Sequence, residues 1–118
     1  MSDMWKLISN YLNAWNGFKA ALCTQWAFRV EMIVFFLSIP GAIILGNSAT
    51  EYAMLISSIV IILMVELLNS AVETVIDRIS LDYHELSGIA KDLASAATLF
   101  ACLNALFIWA MILFARLA

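Results

Sequence analysis

The chain has 118 residues, of which 64% are hydrophobic and 13% are charged, and its formal net charge is −3. Ordinary soluble domains are roughly 45–50% apolar and about 25% charged, and a small domain buries only ~60–70% of the surface that its unfolded chain exposes. The composition therefore excludes a water-soluble enzyme and predicts a single all-α membrane domain. The six lysine and arginine residues form no basic run, so no nucleic-acid partner is expected.

Residues 1–29 have the pattern of an amphipathic helix. Between Met4 and Trp26 apolar residues recur at steps of three and four, and asparagines and lysines fall mostly between them. Tryptophan-rich faces favour the headgroup zone, so the segment is predicted to lie along the membrane surface. An extramembrane helix docked on the other helices is the alternative.

Three further stretches are predicted to span the membrane, at residues 30–49, 51–79 and 91–116. In the first, Pro40-Gly41 falls where a kink is expected. The polar residues 80–88 are predicted to form a loop that ends at Gly88. Positive charges precede the first span and flank the second connection. By the positive-inside rule, the N-terminus and residues 78–92 are therefore expected on the cytoplasmic side.

Four polar side chains share one face of the second predicted span, at spacings of 3, 4 and 4 residues: Glu66, Asn69, Glu73 and Asp77. At ~100° per residue they fall within about an 80° arc. An ionisable group inside a span costs at least ~2.5–3.5 kcal/mol on insertion scales, and neighbouring carboxylates repel one another unless cations, metals or protons lie between them. This polar stripe therefore indicates a functional site, whereas the isolated Asn104 is interpreted as a helix-packing residue.

The depth of the stripe suggests its chemistry. A helix that enters near residue 51 crosses ~30 Å of hydrocarbon by about residue 71. Glu66 would then lie just inside the membrane, and Glu73, about 10 Å further along at ~1.5 Å per residue, at its cytoplasmic boundary. The deeper carboxylate is a candidate general base on an interfacial hydroxyl, and the lower ones are candidate ligands of a divalent metal on a phosphate donor. Glu31 lies at the same level on the first span.

Several familiar site motifs are missing from the sequence. None of the four glycines belongs to a phosphate-binding glycine motif, and His84-Glu85 lacks the second histidine of the zinc signature. A nucleotide would therefore depend on Mg²⁺ at Glu73 and on Lys91 as the phosphate cation. Taken alone, Lys91 is interpreted as a topology-setting or snorkelling lysine and His84 as a solvated loop residue. The two cysteines, Cys23 and Cys102, have no metal-ligand spacing and are predicted to be buried apolar residues.

Residues 65–78 (VELLNSAVETVIDR), with YHELSG at 83–88 and AKD at 90–92, resemble the signature of prokaryotic integral-membrane diacylglycerol kinases. The resemblance extends from about Trp15 to the C-terminus. It implies a homotrimer in the bacterial inner membrane, each protomer with a surface helix and three spans. Such an enzyme transfers the γ-phosphoryl group of Mg-ATP to diacylglycerol at sites between subunits on the cytoplasmic side.

The resemblance also implies roles for individual residues. Glu66 matches the general base, Asn69 a polar residue of the same site, and Glu73 the metal-binding carboxylate. The positions that match nucleotide contacts are Asp77, Asp82, Tyr83, His84, Lys91 and Asp92. The positions that match the lipid-substrate lining are Ala27, Phe28, Arg29, Glu31, Ser95 and Trp109.

The chain departs from the family pattern at a few positions. Gln25 stands where the family has a metal-binding glutamate; its carbonyl oxygen is still a metal ligand, but it adds no charge. Ile89 replaces an arginine, and Lys6 and Asn13 replace an arginine and a tyrosine near the nucleotide. The number of metal ions and their affinity therefore depend on Gln25.

The leading hypothesis is a lipid kinase that acts on diacylglycerol. An undecaprenol kinase of the same fold is the first alternative, and Glu31 and the ELSG loop favour the diacylglycerol branch. A small proton-coupled transporter would need essential carboxylates near mid-membrane, whereas this stripe continues into the cytoplasm. A non-catalytic assembly subunit is the remaining alternative.

Overall fold

The structure, a computed structural model, describes residues 2–118. They form four helices: α1 (Asp3–Thr24), α2 (Trp26–Leu45), α3 (Ala49–Ile79) and α4 (Glu85–Leu117). The last three are each long and apolar enough to cross a membrane. The prediction of an all-α protein with three span-capable helices is thereby confirmed.

The helix boundaries differ from the predicted ones at both ends of α2 and at the start of α4. Gln25 is extended, with φ −109° and ψ 105°, so α1 ends before residue 29 and α2 begins at Trp26. At the other end, α2 stops at Leu45 because Gly46 is also extended, and residues 46–48 connect it to α3. The loop predicted to reach Gly88 ends at His84, because the His84 Nδ1 atom accepts the Leu86 N–H at 3.1 Å and caps α4.

Helix α3 is the centre of the protomer and packs against both α2 and α4, which touch each other only slightly. One core cluster joins Ile59 and Ile62 of α3 to Ala101 and Ala105 of α4. The alanines let the two helix backbones approach closely, as small residues do between membrane helices. A consequence of this arrangement is that α2 and α4 flank an open groove over α3.

Trp109 connects all three span-capable helices. Its indole Nε1 donates to the Leu55 carbonyl at 3.2 Å and to the Ser58 Oγ at 3.1 Å, both on α3. On the α2 side, a Cβ added to Gly41 would lie 3.4 Å from the indole ring. The polar edge of Trp109 is thus used inside the protomer, and its ring is fixed against Gly41.

Hydrogen bonds among Asn47, Ser48, Glu51 and Arg116, which we call the polar lock, connect α3 to α4 at the end of the bundle opposite the α3–α4 connection. Ser48 caps α3 by accepting the Glu51 N–H at 3.2 Å, and the Glu51 carboxylate accepts the Asn47 N–H at 2.8 Å. Arg116, in the last turn of α4, donates to both Glu51 carboxylate oxygens at 2.6 and 2.7 Å. An acidic group at a helix start and a basic group at a helix end are each favoured by the helix dipole.

We expect Glu51→Gln to lower the free energy of unfolding by about 1–3 kcal/mol, because the half-buried Arg116 guanidinium loses its charged partner. Thermal unfolding in detergent micelles, followed by circular dichroism, measures the change. Glu85→Gln makes the same substitution at an exposed residue in the first turn of α4 and is the control. An equal fall in midpoint for both variants contradicts the lock.

Helix α1 docks on α2 at one end and is exposed along most of its length. The Phe18 ring meets the buried Phe28 ring edge-on, with centroids 5.8 Å apart. Among its large apolar side chains, Met4 and Tyr11 are about seven-tenths exposed, at 71% and 69%. The prediction that Cys23 is buried is wrong, because it lies on this open helix and is exposed.

Candidate active site

The polar stripe of α3 runs from the interior of the protomer to its surface. Glu66 is buried, with 6% of its surface exposed, Asn69 and Glu73 are half-buried, and Asp77 is exposed. The side chains of α2 and α4 cover the first of these residues and leave the last uncovered. The stripe therefore connects a sheltered carboxylate to the end of α3 where the chain turns into α4.

The three span-capable helices converge at Glu66. Glu31 of α2 and Cys102 of α4 both lie within electrostatic range of its carboxylate, and the Asn69 side chain is adjacent to it one turn along. Two acceptor atoms here, Glu31 Oε2 and Asn69 Oδ1, are buried without a hydrogen-bond partner among the described residues. Because an unpaired buried acceptor is costly, both atoms suit a ligand that brings a hydroxyl donor or a cation.

A second part of the site lies at the α3–α4 connection, where a cavity of about 260 Å³ opens. All the predicted nucleotide residues except Asp92 line it, together with two small residues of α4. Seven polar or aromatic residues and one glycine line the cavity: Asp77, Ser80, Asp82, Tyr83, His84, Ser87, Gly88 and Lys91. The structure therefore brings into one cavity residues that the sequence distributes over the end of α3, the loop and the start of α4.

Lys91 and Asp77 form an ion pair across this cavity, with Nζ and Oδ1 3.1 Å apart. The two side chains are 42% and 50% exposed, and ion pairs at that exposure contribute little to stability. Lys91 can therefore exchange Asp77 for a phosphate oxygen at small cost. His84 uses its Nδ1 atom as the helix cap, which leaves the Nε2 N–H of a neutral imidazole free to donate.

The proposed metal ligands do not form a ready metal centre within one protomer. Gln25 lines a groove between α1 and α3 with Ser70 and Thr74, on a face next to that of Glu73. Across residues 2–118 no group of three or more His, Cys, Asp or Glu side chains is placed to hold a metal ion. Mg²⁺ is commonly held by one or two carboxylates together with substrate phosphates. Glu73, with the unpartnered Asn69 Oδ1 on the same face, fits a metal that arrives on the nucleotide.

The predicted lipid-side residues are spread over different environments. Glu31 meets Glu66, whereas Phe28 is 1% exposed and packed under α1. Ala27 is half-buried, and Arg29 and Ser95 are exposed at the surface of α2 and α4. In one protomer they do not outline a single lipid pocket.

Two residues near the site were missed at the level of sequence. Cys102 lies beside Glu31 and Glu66, although it is 36 residues beyond Glu66 and shares no motif with it. Ser87 lines the cavity at the α3–α4 connection. Ser87 lies four residues before Lys91, and residues four apart share a helix face. This spacing would have identified Ser87 if α4 had been predicted to start at Glu85.

The chain matches known proteins along nearly all its length. The model of the family Prokaryotic diacylglycerol kinase matches residues 12–113. Diacylglycerol kinase of Escherichia coli (strain K12) is 43% identical over 103 residues, covering 87% of this chain and 84% of the relative. The Haemophilus influenzae diacylglycerol kinase is 42% identical over 108 residues, 92% of each chain. That of Pseudomonas aeruginosa is 43% identical over 97 residues, 82% of this chain and 79% of the relative. The resemblance seen in residues 65–92 is confirmed: the chain belongs to the prokaryotic diacylglycerol kinase family and is an enzyme of that family.

Proposed function

We propose that this chain transfers the γ-phosphoryl group of Mg-ATP to the free hydroxyl of diacylglycerol, forming phosphatidic acid at the cytoplasmic face of the bacterial inner membrane. The observation that carries the proposal is the polar stripe of α3. It leads from a carboxylate buried among span-capable helices to an exposed polar cavity. A lipid hydroxyl and a water-borne phosphate donor need such a path. The diacylglycerol kinase names of the relatives support the choice of lipid.

Glu66 acts as the general base in this proposal. Its carboxylate is sheltered by α2 and α4, with Asn69 beside it, so it is held in place and away from bulk water. It takes the proton of the lipid hydroxyl as the oxygen bonds to the γ-phosphorus, and the bond to the leaving ADP oxygen breaks. Phosphoryl transfer asks little more of a protein than positioning and charge stabilisation.

The nucleotide occupies the cavity between α3 and α4. Lys91 leaves Asp77 and pairs with the phosphates as a point charge, while Tyr83, which is 90% exposed, offers its ring to the base. Glu73 would hold the Mg²⁺ of Mg-ATP, with the amide oxygens of Asn69 and Gln25 as further candidate ligands, and the metal would neutralise phosphate charge.

The working assembly is a homotrimer with the N-terminus and the α3–α4 connection on the cytoplasmic side, and α1 lies along the membrane surface. The exposed apolar side chains of α1 support that placement. The trimer is what the family resemblance implies, and Asp92 and Ser95, which are exposed in the protomer, are the site residues that a neighbouring subunit can reach. Cross-linking in lipid nanodiscs should yield three copies.

Restoring a carboxylate at position 25 should strengthen metal binding. We expect Gln25→Glu to lower the Mg²⁺ concentration for half-maximal activity about fivefold, the effect of ~1 kcal/mol of added charge pairing. Activity measured against free Mg²⁺ at saturating ATP tests this. Gln25→Ala is the comparison, and identical Mg²⁺ curves for the wild type and Gln25→Glu would remove residue 25 from the metal site.

The choice of lipid is tested with purified protein in mixed micelles. Mg-ATP is supplied with dioleoylglycerol, with undecaprenol, or with an equimolar mixture, and the products are separated by chromatography. We expect phosphatidic acid from the first and from the mixture. Phosphorylated undecaprenol as the main product of the mixture would assign the chain to the other lipid.

A further inference from the structure

A row of exposed side chains runs along most of α4, outside the contact that this helix makes with α3. Its members follow one another at alternating steps of three and four residues, and all are exposed in the protomer: Ala97, Phe100, Asn104, Phe107, Met111 and Phe114. We call this surface the α4 seam. Steps of three and four place side chains on one face of a helix, and the same alternation is the pattern by which two long helices pack along each other.

Asn104 is the polar member of the α4 seam, and it lies near the middle of the membrane. Lys91 is near the start of α4 and Arg116 is in its last turn. Asn104 is 13 residues from the first and 12 residues from the second, which is about 20 Å and about 18 Å at ~1.5 Å per residue. Because the hydrocarbon core is ~30 Å thick, Asn104 is far from both interfaces.

An amide at this depth needs a hydrogen-bond partner, since lipid tails offer none and an unpaired polar group in hydrocarbon is costly. The polar side chains that flank Asn104 on α4 are engaged elsewhere. The Thr98 hydroxyl donates to the Ala94 carbonyl at 3.4 Å, and the Trp109 N–H donates to α3. The exposed Asn104 amide is therefore left to bind a group outside the protomer.

The exposed face of α3 does not make the same demand. Its side chains also recur at steps of three and four, at Met54, Ser57, Ile61, Met64 and Leu68, but the polar one among them is a serine. The Ser57 hydroxyl donates to the Met54 carbonyl at 3.3 Å, and such a bond to its own helix satisfies a serine. The need for a polar partner at mid-membrane therefore falls on the α4 seam.

We propose that the α4 seam is a contact surface between copies of this chain and that the Asn104 amide hydrogen-bonds across it. Copies inserted in the same orientation carry Asn104 at the same depth, and an amide both donates and accepts, so a second copy supplies a complementary group. A single asparagine in an otherwise apolar seam also fixes the register of the helices that meet there. The proposal goes beyond the proposed reaction, because phosphoryl transfer uses no side chain of this surface.

Photo-cross-linking of the purified full-length protein in phosphatidylcholine vesicles tests which face of α4 meets a second copy. A benzophenone amino acid replaces Phe107, in the α4 seam, or Leu106, the adjacent residue that lines the groove with α2. The two positions are a matched pair, because they are 65% and 67% exposed and point ~100° apart around the helix. We expect at least about fivefold more covalent dimer from position 107 than from position 106.

Asn104→Leu tests the amide itself, because leucine keeps the size of the side chain and makes no hydrogen bond. Asn104→Gln restores an amide, and Leu103→Met is the control at an exposed residue of α4 outside the seam. Sedimentation equilibrium over a series of detergent-to-protein ratios measures association of the copies. We expect Asn104→Leu to weaken association about fivefold, or ~1 kcal/mol at 1.36 kcal/mol per factor of ten. The other two variants should associate like the wild type.

Both measurements are independent of catalysis, so they stand or fall apart from the proposed function. Equal cross-linking from positions 106 and 107, or none from either, overturns the α4 seam as a contact between copies. Wild-type association of Asn104→Leu, or an equal loss for Leu103→Met, overturns the hydrogen bond of Asn104 across it.

Discussion

Glu66→Gln is expected to lower kcat for diacylglycerol phosphorylation by about 10²–10⁴-fold, the usual contribution of a general base. Glutamine has nearly the same shape as glutamate, so the packing of α2 and α4 over this buried position should persist. It cannot accept the proton of the lipid hydroxyl. The measurement is the initial rate of phosphatidic acid formation at saturating Mg-ATP and lipid.

Two controls distinguish loss of the general base from loss of folding. Glu85→Gln, the same chemical change at an exposed residue, should retain full activity. The thermal midpoint of Glu66→Gln should stay close to that of the wild type, so that lost activity is not lost folding. Wild-type kcat in a folded Glu66→Gln protein would remove Glu66 as the base.

Glu73→Gln should lower kcat/KM for Mg-ATP by roughly 100-fold, equivalent to about 2.7 kcal/mol at 1.36 kcal/mol per factor of ten. The reason is that Glu73 is the charged metal ligand proposed for the nucleotide side, and an amide keeps the oxygen but loses the charge. Raising Mg²⁺ should restore part of the lost activity. Rates measured over a matrix of ATP and Mg²⁺ concentrations separate the two effects.

Lys91→Met provides the comparison for this second result, because Lys91 contacts phosphate and not the metal in the proposed site. Its defect should raise KM for Mg-ATP and should not respond to added Mg²⁺. If Glu73→Gln behaves in the same way, Glu73 interacts with the nucleotide by some means other than the metal.

The α3 side of the site follows from local periodicity. Spacings of three and four residues put Glu66, Asn69 and Glu73 on one face of any helix, and the structure has them on one helix with decreasing burial. The family signature lies in the same segment, so both lines of reasoning point to the same residues. Helix α4 starts at Glu85, several residues before the predicted start at residue 91. Its start depends on one hydrogen bond, which the Leu86 N–H donates to the His84 side chain.

Contacts between side chains on different helices could not be predicted from the sequence, because they depend on how the helices pack. Arg116 and Glu51 are separated by 65 positions, and no periodicity indicates that their helix ends meet. Cys102 reaches Glu66 only because α4 packs on α3 in a particular register. The family resemblance implies a lipid-side position for Trp109, whereas its hydrogen bonds to Leu55 and Ser58 depend on how α4 packs against α3.

Transfer of the γ-phosphoryl group to the lipid can be followed directly. Purified wild-type protein in mixed micelles is given ATP labelled at the γ-phosphate, Mg²⁺ and dioleoylglycerol, and label is counted in the lipid and aqueous fractions. We expect label in phosphatidic acid, in equal amount to the ADP formed, and almost no label in the lipid fraction when Glu66→Gln replaces the wild type. ADP formation with the label released as inorganic phosphate, or labelled lipid formed equally by both proteins, would contradict this expectation.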